Sequence, residues 1–239
     1  MSVATKAVVL SSLRYGDSSL IVRAYTRAAG LQSYLLKGIL KQQKGRMRSA
    51  MFQPLTQLEV VSGPIRPGKL GYLKEARVNI PYVTLHTDVR KSTIALFLSE
   101  VLTGCIREEE ANPGLYSYLE HTLQWLDNHG NTANFHIRFL LGLTRYLGFY
   151  PDCETTGAAY FDLQEGAFCA AQPLNPVISG RPLEHFRAFL GINFDAIDQV
   201  KMTQAERREL LRLLVVYYEL HVHGFKKPRS LDVLDEVFS

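Results

Sequence analysis

Lys37, Lys41, Lys44, Arg46 and Arg48 lie in one stretch, Leu31 to Pro54, that contains no acidic residue. Five like charges on one loop repel one another, and a polyanion relieves that cost. The chemistry this spacing suits is therefore electrostatic capture of a phosphate backbone. Simple solubilising charge is the competing explanation. The charge distribution favours binding: residues 1 to 80 hold 13 Lys/Arg against 3 Asp/Glu, a net of +10, while 81 to 239 hold 14 against 20, a net of −6. The overall charge of +4 hides two regions built for different partners.

Other chemistry is hard to find. There is no Walker A sequence, dinucleotide fingerprint, HExxH pair or GxSxG elbow. Of the seven histidines only His221 and His223 are close, and a spacing of two on a helix puts them on different faces. Cys153 and Cys169 flank a hairpin-like segment, but two thiols fall short of the four ligands of a structural zinc site. Asp17, Glu59 and Glu75 are too few and too dispersed for a metal-dependent nuclease. The sequence reads as a binding protein, not an enzyme, with no metal or cofactor. A 46% apolar and 21% charged composition is that of a folded chain. Three cysteines, no apolar leader behind a basic start and no apolar run of membrane-spanning length predict a cytoplasmic protein.

The elements that must position the cations come first in the chain. Thr5 to Ser12, Ser19 to Thr26, Leu31 to Leu36, Phe52 to Val61 and Lys69 to Asn79 read as five short strands separated by turn signals. They predict a small β-barrel over 1–80, of the OB type that binds nucleic acid; an SH3-like barrel fits the pattern nearly as well. From Pro81 the period changes to that of helices: Asp88 to Glu109, Leu115 to Asn128, Ala133 to Gly148, Leu183 to Leu190, a capped helix opening at Thr203-Gln204-Ala205-Glu206, and Ser230 to Phe238. Gly157 to Ala171 interrupts them as a hairpin turning at Gln164-Glu165-Gly166, within an insertion around 151–182. The expected fold is α+β: an N-terminal five-stranded OB-type barrel, then a mostly α-helical domain over 81–239 with a small β-hairpin.

The succession VVLSSLRYGDSSLIVRAYTRAAG, LLKGILK, FQPLTQLEV, LKEARV, NFHIRFLLGLTRYLGFYPD and KKPRSL resembles the RecO family of DNA repair proteins over nearly the whole chain. The resemblance implies an OB-fold followed by a helical domain, and a recombination mediator without catalytic residues. Such a protein binds single- and double-stranded DNA, anneals complementary strands and works with RecR to help RecA replace single-strand binding protein (SSB). Many members carry a four-cysteine zinc site after the central helix. Here only Cys153 and Cys169 remain, with Thr155, Thr156 and residues 170–172 supplying no ligand, so the family zinc site is expected to be lost and Tyr160, Phe161 and Phe168 to form the hairpin's core.

Lys37 and Lys41 fall on the family's Lys-Gly-x-x-Lys element and are the first phosphate contacts expected, followed by Lys44, Arg46 and Arg48, with Arg14, Lys69, Lys74 and Arg77 as extensions. Tyr34, Phe52 and Tyr72 are candidates for base stacking. The acidic, apolar C-terminal tail of SSB would need an apolar pocket with cations, for which Arg138, Arg145, Arg207, Arg208 and Arg212 are candidates; Arg138 stands out because it sits in an otherwise apolar helix. The alternative function is an OB-fold RNA-binding or translation-associated protein, and a purely structural adaptor is a third reading.

Overall fold

The computed structural model describes residues 2–41, 47–64, 68–153 and 157–238. Lys44 and Arg46 of the basic stretch, and Thr155 and Thr156, lie outside them. Packing divides the chain into two compact units, Met1–Asn128 and His129–Ser239.

In the first unit, β1 (Val3–Tyr15), β2 (Ser19–Thr26), β3 (Gly30–Leu36), β4 (Gln57–Ser62) and β5 (Leu73–Ile80) form an antiparallel sheet in the order β3-β2-β1-β4-β5. Its two edges meet at a single parallel bridge between Tyr34 and Gly71, where Leu35 N–H donates to the Gly71 carbonyl (3.0 Å) and Gly71 N–H to that of Ser33 (2.7 Å). The ladder is not continuous round the circumference, and the result is a partly open five-stranded arrangement of the OB type. Alternation along the strands turns Val9, Val22, Ala24, Leu36, Leu58 and Val60 into one buried core. β4 begins later than the sequence pattern indicates. Residues Ser49–Phe52 instead form a 3-10 turn that drops the Phe52 ring into that core.

Helices α1 (Val89–Cys105) and α2 (Pro113–Asn128) belong by packing to this unit, although their helical period sets the sequence boundary near residue 80. The Asp88 carboxylate caps α1 by accepting from Lys91 N–H (3.0 Å), and Ser99 Oγ donates to the Leu10 carbonyl of β1 (2.5 Å). A buried latch ties α2 to the chain leaving β5. The Asp127 carboxylate accepts the backbone N–H groups of Val83, Thr84 and Leu85 (2.7 to 2.9 Å), and Lys91 Nζ donates to the Asp127 carbonyl (2.6 Å) and Thr84 Oγ1 (2.7 Å). Burial would raise the Asp127 pKa, but these hydrogen bonds together hold it below its ordinary value.

The second unit contains α3 (Phe135–Leu147), α4 (Gly180–Phe189), α5 (Gln204–His221) and α6 (Ser230–Val237). α3 stops at Gly148, whose φ of 83° lies in the left-handed region. α5 opens with the expected capping box, Thr203 N–H donating to Glu206 Oε2 (2.7 Å) and Glu206 N–H to Thr203 Oγ1 (3.3 Å). The predicted hairpin is a three-stranded sheet: β6 (Tyr160–Asp162) lies between β7 (Ala167–Cys169) and β8 (Val177–Ser179). A three-residue strand behind Pro176 is too short to show alternation, which is why the pattern misses it. Phe161, Phe168 and Phe186 cluster beneath the sheet, with ring centroids 5.0 Å and 4.6 Å from that of Phe161, while Tyr160 is only half-buried.

Candidate nucleic-acid interface

The Lys-Gly-x-x-Lys element is a tight turn after β3. Gly38 adopts φ 71°, which a side chain would resist, and Ile39 is buried in the barrel core. That anchoring leaves Lys37 and Lys41 exposed on either side of the buried Ile39. The turn abuts the β1–β2 connection: Leu40 N–H donates to the Ser18 carbonyl (2.9 Å), and Gly38 N–H to Ser19 Oγ (3.4 Å). Arg14, near the end of β1, is exposed beside this connection. Among the described residues, no ion pair reaches Arg14, Lys37 or Lys41. Arg48 is exposed just before the 3-10 turn, and Lys69 is exposed in the segment leading to β5.

Lys74 and Arg77, grouped with these by sequence, sit differently. Arg77 pairs with Glu59 across β4 and β5 (Nε to Oε2 2.8 Å), Lys74 Nζ donates to Ser2 Oγ (2.7 Å), and Glu75 is exposed between them. This part of the barrel is charge-balanced, with Glu59 and Glu75 beside Lys74 and Arg77.

Two of the three stacking candidates are core residues. Tyr34 is paired with Val22 and turns inward with it, and a Cβ on Gly71 would come within 3.0 Å of its ring. Phe52 fills the barrel from its 3-10 turn. Neither ring is available to a base. Tyr72 is 61% exposed and remains a candidate.

The five arginines of the helical unit do not converge. Arg138 donates to the Ile192 carbonyl (2.7 Å) and lies over the Phe194 ring (5.1 Å), so the charge on an apolar helix is satisfied internally. Arg207 is half-buried and donates to Asn134 Oδ1 (2.9 Å) and the Met202 carbonyl (3.2 Å), with burial lowering its pKa. Arg208 and Arg212 share Asp235 of α6 (3.4 and 2.8 Å). Arg145 lies over the Tyr150 ring (4.2 Å) and opens onto a space of about 510 Å³ also lined by Cys153, Arg187 and Leu190, where Arg187 donates to the Ala158 carbonyl and lies over the Phe168 ring (5.3 Å). Arg207 and Arg208 border a much smaller recess with Leu211, Leu234 and Phe238. Sequence reasoning missed Arg187. Its signal was a lone cation in the last turn of a short amphipathic helix, a pattern shared with ordinary surface charge.

Residues 1–82 match the family described as "Recombination protein O N terminal", and residues 86–231 match "Recombination protein O C terminal". The chain belongs to the RecO family. Among curated relatives, the DNA repair protein RecO of Christiangramia forsetii is 47% identical, and those of Flavobacterium psychrophilum and Flavobacterium johnsoniae are each 41% identical, all over the full length of both chains. A role in DNA repair and recombination follows from this membership. No described helix is long and apolar enough to cross a membrane.

The four-cysteine zinc pattern expected of many RecO proteins does not fit this chain. Cys153 is exposed, with its thiol pKa raised by burial of its surroundings and by Asp152; Cys169 is half-buried on β7.

Proposed function

We propose that this RecO protein is a non-enzymatic recombination mediator that holds single- and double-stranded DNA at the Lys37 end of its barrel, without a cofactor. From there it anneals complementary strands and, with RecR, assists loading of RecA on SSB-coated DNA. The single observation that carries this reading is the Lys37–Lys41 turn. The fold anchors it rigidly through Ile39 while leaving both ammonium groups exposed, and no acidic side chain neutralises them among the described residues. Fixed cations of this kind track a phosphate backbone without reading sequence.

The acidic tail of SSB is assigned to the helical unit. Arg145 and Arg187, although each also rests on an aromatic ring, line the roomier of the unit's clefts and are the arginines assigned to a carboxylate-bearing peptide; Arg207 and Arg208 border a much smaller recess. The protein acts in the cytoplasm, at the nucleoid.

The test is annealing of complementary strands coated with SSB, comparing wild type, Lys37→Ala/Lys41→Ala, and SSB lacking its acidic tail, with and without RecR. The reading requires that wild type anneal, that the double variant fail and that tail removal slow the reaction. A protein that ignores coated DNA even with RecR, or prefers structured RNA, overturns it.

A further inference from the structure

The sheet of the barrel ends at β5, and the far side of that strand is open. β5 pairs only with β4. The bridge that joins the two edges of the sheet is made by Gly71, before β5 begins, and among the described residues no backbone group of Leu73–Ile80 bonds to an element other than β4. A space of about 610 Å³ lies against the strand, lined by Met51 and by Glu75, Ala76, Arg77 and Val78, and Val78 is 41% exposed. An open edge of this length is a template for one more strand.

The side chains along the edge say which strand fits. The regular part of the ladder sets Leu58–Val61 against Glu75–Val78, with an irregularity on either side. Ala76 and its pair Val60 belong to the core, so by alternation Glu75 and Arg77 point outward. Arg77 donates to Glu59 (Nε to Oε2 2.8 Å), yet its side chain stays 76% exposed, and a guanidinium has N–H groups left for a second carboxylate. Glu75 is exposed, and among the described residues no cation pairs with it. Many open edges are guarded by lysines of one sign. This one carries two opposite charges, two residues apart.

That spacing is complementary to itself. When β5 pairs antiparallel with β5 of a second copy about a two-fold axis, the two cores stay on one side of the joined sheet only if the axis passes through a residue, because a slip of one residue turns every side chain to the other face. Centred on Glu75 or on Arg77, the pairing sets like charges opposite each other, which is destabilising. Centred on Ala76, it sets Glu75 of each copy opposite Arg77 of the other, with a small side chain on the axis. The outward row then alternates in sign: Glu59, Arg77, and Glu75 of the second copy.

We propose that β5 is a self-association edge, at which two copies of this chain pair their β5 strands antiparallel about Ala76 through reciprocal Glu75–Arg77 contacts. The interface is a single strand pair, so the dimer is weak and forms only at micromolar concentration. A pair so joined carries two Lys37 turns, one for each strand brought together in annealing. That consequence rests on the DNA-binding reading above, whereas the pairing itself does not.

The test is sedimentation velocity of the full chain over a range of concentrations, without DNA, and with circular dichroism as the check of folding. Wild type is compared with Glu75→Arg, with Arg77→Glu, and with an equal mixture of the two variants. Wild type should pass from monomer to dimer with a dissociation constant of about 10 to 100 μM. Each reversal alone sets like charges opposite each other and should weaken the dimer about 10- to 30-fold. The mixture should recover it, because one variant then offers two cations to two carboxylates of the other. Glu75→Arg leaves the Arg77–Glu59 pair in place, so its comparison with wild type decides the matter even if Arg77→Glu does not fold. A wild type that is still monomeric at about 300 μM overturns the proposal and leaves the edge to a strand of another protein. Self-association that neither reversal changes overturns it in favour of another face, and two folded variants whose mixture stays monomeric overturn the reciprocal pairing.

Discussion

The cations of this RecO protein fall into two groups that sequence alone does not separate. Lys91, Arg138 and Arg207 are held by carbonyls, an amide oxygen, a hydroxyl or an aromatic ring, and their charge is spent on the fold. Lys37 and Lys41 are exposed on a turn whose own anchor is apolar, and their charge stabilises nothing internal among the described residues. An internally satisfied cation is structural even when it sits in a suggestive place. Its removal should move stability, whereas removal of the exposed kind should move binding.

The largest expected effect lies on the structural side. Asp127→Ala leaves three backbone N–H groups without their acceptor and Lys91 beside an altered helix end, and should cost about 3 kcal/mol in urea unfolding. DNA affinity of the folded fraction should not change; a loss of affinity at full folding would break the distinction. Because the Asp127 pKa is depressed in the folded state, its contribution is complete above the ordinary carboxylate pKa and is lost as pH falls through the lower folded value.

On the binding side, Lys37→Ala/Lys41→Ala should weaken single-stranded DNA binding by about 1 to 2 kcal/mol at low salt and flatten the slope of log K against log salt by roughly 1.5. Its thermal midpoint should match wild type. An unchanged slope would mean that the two ammonium groups do not touch phosphates.

His136 sharpens the contrast in the helical unit. It is buried, and burial together with the Arg207 charge lowers its pKa to about 3. Between the ordinary value of 6.5 and that lower one, the unfolded chain binds a proton that the folded chain refuses, so stability falls on acidification by at most about 1.4 kcal/mol per pH unit. Unfolding midpoints from pH 7 to 4 should show this dependence, and His136→Leu should reduce it. The smallest effect is expected from Lys74→Ala/Arg77→Ala: with Arg77 already paired to Glu59, DNA affinity should change by less than about twofold at low salt. A larger loss would extend the phosphate path onto β5.

Much of this was legible in the chain. Strand alternation, Gly and Pro punctuation, the Thr203 capping box and the basic stretch are local signals, written in neighbouring residues and fixed by backbone chemistry. They determined the element order, the α+β class and the presence of a basic end. Which aromatic rings were available was not legible. Tyr34, Phe52 and Tyr72 are equally plausible in sequence, and only the edge-to-edge bridge at Gly71 and the 3-10 turn at Phe52 buried two and exposed one. Leu13 and Tyr15 fall past the strand that the pattern ends at Ser12, in what reads as a turn, yet β1 continues to Tyr15 with that end exposed. The arginines of the helical unit differed only through partners distant in sequence, such as Ile192 for Arg138 and Asp235 for Arg208 and Arg212. Secondary structure follows from short-range preference, but the fate of a ring or a charge depends on what the fold brings beside it, and that is decided only when the tertiary contacts form.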